Sequence, residues 1–216
     1  MNRTSRFRAL VLALSCMFMP SLLSADVSVF SNLNSNAENG GYVINDTGTG
    51  STEALAAAFT PSGDYVLTGA EAGLNSSSTG GGVVGFAVYS DDGGLPGTLL
   101  AALQPVTLSA NASEFVSTGN PSSAIDLLSG DQYWLVLTPG SDTSVNWDPD
   151  GTSTVSTAAT NDASGASGWK TTSSDNVAFA IYGTPLVPVP EPRELGPAAI
   201  LMLILVVVRH RVSARV

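Results

Sequence analysis

The chain has 216 residues, 18 of them acidic and 8 basic, a formal net charge of −10, one cysteine and one histidine. Hydrophobic residues make up 44% and charged residues 12%, which excludes a highly charged disordered chain and suffices for a packed core. The histidine, His210, and the cysteine, Cys16, stand near the two ends, so the interior lacks a Ser-His-Asp triad, a Cys-His dyad and a His- or Cys-built zinc site.

At the N-terminus, Arg3, Arg6 and Arg8 form a positive segment and Ala9 to Leu23 an apolar one. Small residues follow before Asp26. This is the pattern of a secretory signal peptide over residues 1–25, a short apolar helix presented to the secretion translocon and cleaved between Ala25 and Asp26. A lipoprotein signal would use Cys16, but Ala13 stands where a Leu is usual three residues earlier. With ordinary cleavage the cysteine leaves with the signal, and the mature chain has no disulfide and no thiol ligand.

Residues 26–186 read as one domain, long enough for a core without staples. Strand-like stretches are Val27 to Phe30, Tyr42 to Ile44, Ala54 to Phe59, Tyr65 to Leu74, Val83 to Tyr89, Thr98 to Leu103, Val106 to Leu108, Glu114 to Val116, Tyr133 to Thr138, Val145 to Trp147 and Val177 to Tyr182. Gly, Asn, Asp, Ser and Pro clusters separate them, and no window carries a long 3.6-residue period. Ala54 to Ala58 is the one place where a helical turn could intrude. The expected fold is all-β, a β-sandwich or jelly roll.

Tyr133 to Thr138 is apolar on both faces, which places it centrally and makes Trp134 a core residue. Trp147 and Trp169 lie in polar, Gly- and Ser-rich surroundings, where an exposed indole could stack on a sugar ring. Asn146, Asp148 and Asp150, spaced by two ahead of Gly151, resemble the first half of a calcium loop. The twelfth position is Thr157 instead of Glu, and Pro149 interrupts the run, so an EF-hand is rejected. A looser calcium site and an ordinary Asx-turn both remain open. Thr152 to Asn176 is Ser-, Thr-, Ala- and Gly-rich, which favours short edge strands over a loop.

Lys170 is the only basic residue between Asp26 and Pro188, against 16 acids, so that segment carries 1 minus 16, or −15. Such a field repels phosphates and excludes nucleic acid as a partner. Catalysis would have to come from carboxylates, as in a glycosidase, with Glu38, Glu53, Glu71 and Glu114 as the glutamate candidates. With one Lys and no Arg in the segment, the expectation is a non-enzymatic domain without a cofactor.

Four prolines between Pro185 and Pro192 predict an extended stalk over residues 187–194. Then comes an apolar run, Leu195 to Val208, and a basic end with Arg209, Arg211 and Arg215. As a helix the run spans about 21 Å, short of the roughly 30 Å of a bilayer core. It lacks a polar face, however, and the arginines can snorkel and mark the cytoplasmic side. Residues 195–216 are therefore expected to be a single membrane helix with a basic cytoplasmic tail, the alternative being an apolar helix packed on the domain.

Val189, Pro190, Glu191 and Pro192, followed by one apolar helix and an Arg-rich end, resemble the PEP-CTERM sorting signal of Gram-negative bacteria. The resemblance implies recognition by an exosortase-type membrane protease, cleavage near the motif and delivery to the cell surface or an exopolysaccharide-rich matrix. Arg193 and Glu194 depart from the pattern by placing a charge pair directly after the motif. Ser90-Asp-Asp-Gly-Gly-Leu-Pro-Gly97, the stretch Leu127 to Leu137, Val145-Asn-Trp147 and Phe179 to Thr184 together resemble the choice-of-anchor R domain. That family implies an exported β-domain and supplies no activity. The expected role is that of an exported surface or biofilm-matrix protein, with a carbohydrate-binding module of the exopolysaccharide matrix as the alternative.

Overall fold

A computed structural model describes residues 25–33, 41–46, 52–149, 157–160, 168–172 and 177–186. The expected signal helix, the sorting motif Val189 to Pro192, the apolar run 195–208, Arg209, Arg211 and Arg215 lie outside the described residues, as do Glu38 and Asp150.

The described residues form an all-β, antiparallel architecture without a helix. Its strands are β1 (Val27–Ser31), β2 (Tyr42–Asp46), β3 (Thr52–Phe59), β4 (Tyr65–Asn75), β5 (Gly82–Asp91), β6 (Pro96–Ala102) and β7 (Val106–Leu108). They continue with β8 (Ser113–Gly119), β9 (Asp126–Leu127), β10 (Tyr133–Pro139), β11 (Thr143–Trp147), β12 (Thr157–Thr160), β13 (Lys170–Thr172) and β14 (Phe179–Pro185). The main path of pairing runs β1-β14-β4-β11-β2-β3-β10-β5-β6. β8 and β9 add to β4, β7 adds to β5, and β12 joins β3 to β13.

Two runs of this path share one core, and the β2–β3 junction between them is only two residue pairs long, Asn45 with Glu53 and Asp46 with Thr52. Phe30 of β1 stacks on Phe179 of β14 at 4.8 Å and tilts against Phe59 of β3 at 6.3 Å. Phe59 stacks in turn on Tyr133 of β10 at 5.8 Å. Ala70, Ala72 and Leu74 of β4 and Val84, Phe86 and Val88 of β5 fill the same core at alternate positions, as a half-buried strand requires, and Leu67 joins them from beyond the register shift in the β4–β14 pairing.

β3 shows tertiary pairing overriding local propensity. Its sequence, Thr-Glu-Ala-Leu-Ala-Ala-Ala-Phe, would suit a helix, yet it is a strand held between β10 and β12. Leu55, Ala57 and Phe59 face the main core, while Ala56 and Ala58 face the other way, directly beside Val136 and Trp134. The small alanines leave room for the indole. Trp134 is fully buried there with Val136, and Tyr89, Leu95 and Trp169 pack over them.

The Ser/Thr-rich region supplies β12 and β13, paired with each other, with β13 outermost. This agrees with short edge strands. β9 was not expected; its two residues pair with Tyr65 and Val66 at the start of β4. β1 begins and β14 ends at that same pole, since Val27 pairs with Gly183 and Pro185 pairs with Tyr65.

Candidate functional site

The polar residues at this pole surround a cavity of about 570 Å³ between the end of β5 and the segment leading into β10. Turn chemistry builds its rim. Gly93 and Gly94 take positive φ after Asp91-Asp92, the Asp92 amide bonds to the Leu95 carbonyl at 2.8 Å, and β6 then returns along β5.

Asp91 is the best-anchored side chain of the cavity. Its Oδ1 accepts from Trp134 Nε1 at 2.8 Å and from Gln132 Nε2 at 2.7 Å, and its Oδ2 accepts from the Gly94 amide at 3.1 Å. The indole bond leads the effects that hold its carboxyl below the usual range; the Gly94 and Gln132 bonds act the same way and partial burial opposes them. An ionised carboxylate has about four acceptor positions, so three donors leave capacity on Oδ2. Tyr133 is nearly buried; its hydroxyl accepts from the Leu128 amide at 3.0 Å and keeps its own proton to donate. Asp126 and Asp131 are exposed at the rim, while Leu100 and Ile125 form an apolar wall. The arrangement is rich in acceptors and contains no basic residue.

The tryptophans part ways. Trp147 is a correction to the sugar-stacking expectation, being 0% exposed. Its Nε1 donates to the Ala178 carbonyl at 2.9 Å and its ring stands edge-on to Phe179 at 6.0 Å. The cause is strand alternation: Thr143, Val145 and Trp147 point inward from β11 and Ser144 and Asn146 do not. Gly41, at φ +124, permits this seat, because a Cβ there would fall 2.0 Å from the Trp147 carbonyl oxygen. Trp169 remains partly exposed, packed over the Trp134 cluster beside Gly168.

Two of the three expected calcium ligands are described. Asn146 Nδ2 donates to Asn75 Oδ1 at 3.0 Å, and Asn75 Nδ2 donates to Asp148 Oδ1. Asp148 is buried, with its amide on the Gly73 carbonyl and its carbonyl accepting from the Ala178 amide. Asn146 and Asp148 therefore knit β4, β11 and the start of β14 together, while Asp150 lies outside the described residues. Among the described residues no group of three His, Cys, Asp or Glu is placed to hold a metal ion.

Of the glutamates, Glu71 accepts a hydrogen bond from the Tyr182 hydroxyl at 2.6 Å. Burial, and then Glu71, push the Tyr182 phenol up to about 12. Glu71 pairs with Ser117 and Glu114 with Leu74, three residues along one ladder, or about 10 Å. Strand alternation puts them on opposite faces, which does not match a glycosidase pair. Glu53 sits apart from both, at the β2–β3 junction, where burial raises its carboxyl.

At the expected signal-cleavage point, Ala25 and Asp26 are both exposed, and Asp26 Oδ1 accepts from Thr184 Oγ1 at 2.9 Å. Sequence reasoning missed the cavity altogether. Its residues come from the end of β5, from β6 and from the segments flanking β9, and although the Ser90 to Gly97 turn and the stretch Leu127 to Leu137 both stand out in the sequence, nothing there brings them together.

Comparison of the chain with protein-family models and with curated proteins gives no match.

Proposed function

We propose that this chain is an exported, non-enzymatic surface or matrix protein whose all-β domain is a β-sandwich carried on a C-terminal sorting tail. The observation that carries the reading is the ordered tail: Val189 to Pro192, the apolar run 195–208, then Arg209, Arg211 and Arg215. In this reading an exosortase-type protease takes the tail as substrate after the secretion translocon has delivered the domain. The protein is a single-pass inner-membrane intermediate first and a cell-surface or exopolysaccharide-matrix component afterwards. Within the described domain the first and last strands share one pole, where Val27 pairs with Gly183 and Pro185 with Tyr65, which is compatible with a signal before the domain and a tail after it.

The test is the mass of the protein recovered from outside the cell. Loss of residues 1–25 and of the apolar run 195–208 is expected, and Pro190→Ala with Glu191→Ala should hold the tail on. Recovery of an external product that retains 195–208 refutes the sorting reading.

A second reading, a carbohydrate-binding module, draws on the partly exposed Trp169 and on the acceptor-rich cavity. Planar polar side chains beside an apolar wall are the means by which proteins hold sugars without a charge of opposite sign.

A further inference from the structure

We propose that the cavity at the β5–β6 and β9–β10 turns is a subsite for an uncharged sugar unit of a glycan chain, continued by stacking on Trp169. The proposal deepens the carbohydrate-binding reading and rests on it.

The chemistry follows from what the cavity offers. Asp91, Asp126 and Asp131 supply acceptors, Gln132 an amide, Tyr133 and Ser90 hydroxyls, and no side chain of the lining is basic. The matching ligand is rich in hydroxyl donors. Uronates, sulfated sugars and phosphates are excluded by three carboxylates with no counter-charge. Leu100 and Ile125 give an apolar wall for the carbon face of a pyranose, and the site is an open cleft of about 570 Å³, which suits one unit of a chain that continues into solvent.

Preorganisation is the second part. Asp91 is fixed by three donors, one of them the Nε1 of a fully buried tryptophan, so little side-chain freedom remains to be lost on binding. Trp134 also joins the cavity to Trp169: its Nε1 holds Asp91, and its ring belongs to the cluster over which Trp169 packs. A sugar chain with one unit in the cavity and another on the Trp169 face would use both.

The experiment is calorimetry on the full-length chain in mild detergent with cellotetraose, laminaritetraose, maltotetraose and mannotetraose, and with tetragalacturonate and spermine as charged probes. Saturable binding of at least one neutral tetrasaccharide is expected, with none for tetragalacturonate. Asp126→Ala and Gln132→Ala should each weaken it about tenfold. Asp126→Asn, which keeps an acceptor and loses the charge, should stay within about threefold of the parent. Asp142→Asn and Glu114→Gln, away from the cavity, should change nothing, and the melting temperature of each variant reports whether it folds.

If Asp126→Asn fails as Asp126→Ala does, or if spermine binds and the neutral sugars do not, the cavity captures cations and the assignment is overturned. Binding that is lost in Trp169→Ala yet indifferent to Asp126→Ala and Gln132→Ala removes the cavity and leaves the module reading standing. No binding of any neutral probe removes both.

Discussion

Replacing Trp147 separates a structural indole from a ligand-binding one. Trp147→Ala removes a fully buried side chain, which costs about 3–5 kcal/mol in protein cores. It also strips the Ala178 carbonyl of its indole donor, adding about 1 kcal/mol or more for a buried acceptor left unmet. A loss of about 4–6 kcal/mol is a large share of the roughly 5–15 kcal/mol that holds a domain together. At about 2–4 °C per kcal/mol for a chain of this size, the melting temperature should fall by roughly 8–24 °C. Trp147→Phe keeps an aromatic ring near Phe179 and loses the donor, so its deficit should be less than half as large. Trp169→Ala, partly exposed, should cost about 1 kcal/mol. Urea titration of the full-length chain at neutral pH, followed by tryptophan fluorescence, checks all three. A Trp147→Ala midpoint indistinguishable from that of the parent would show that the indole is not in the core and would restore it as a surface residue.

Gly41→Ala should destabilise by about 3 kcal/mol in the same assay, because positive φ and a Cβ 2.0 Å from the Trp147 carbonyl oxygen allow no simple accommodation. Asp91 has a lowered carboxyl pKa, so it contributes stability above the unfolded value near 4 that is lost as pH falls through the folded value. Urea midpoints measured between pH 2 and pH 6 should show a shallower acid loss for Asp91→Ala than for the parent. Tyr182 has the opposite sense: its phenol, raised to about 12, contributes stability that is full below the unfolded value near 10 and lost as pH rises through 12. Phenolate absorbance should show the late titration of Tyr182 moving to lower pH in Glu71→Gln. Glu53 is disfavoured as an anion by burial, so Glu53→Gln should raise the melting temperature at pH 7, with the gain fading near pH 4.

How far the fold could be read from the chain depended on whether a strand carried its own evidence. Tyr133 to Thr138 did: apolar residues on both faces demand cover on both, and β10 lies between β3 and β5 with residues buried on each side. β3 carried less: Ala54 to Phe59 reads as strand-like, but four alanines among eight residues carry little β preference and leave a helical turn open. What makes it a strand is the partner on each side, information that resides in β10 and β12. β9 is shorter still. Two residues cannot show a period, and Asp126-Leu127 is a strand only because Tyr65 and Val66 are beside it.

Trp147 shows why composition around a residue is a poorer guide than its place in a strand. Asp148, Pro149, Asp150 and Gly151 make the neighbourhood look exposed, yet Thr143, Val145 and Trp147 share a parity that Ser144 and Asn146 do not. The parity is legible in the sequence, because the expected strand Val145 to Trp147 already puts the indole on the Val145 face. The cavity had no comparable signal. Asp91, Asp126 and Asp131 are separated by 35 and 5 positions, and what brings them together is the path by which β9 joins β4 while β6 returns along β5. The link that could have been inferred is narrower: a central, buried Trp134 requires an acceptor for its Nε1, and the strand paired with it ends in an aspartate. Buried indoles in all-β chains therefore point to the polar residues at the ends of neighbouring strands, and here that route leads from Trp134 to Asp91 and into the cavity.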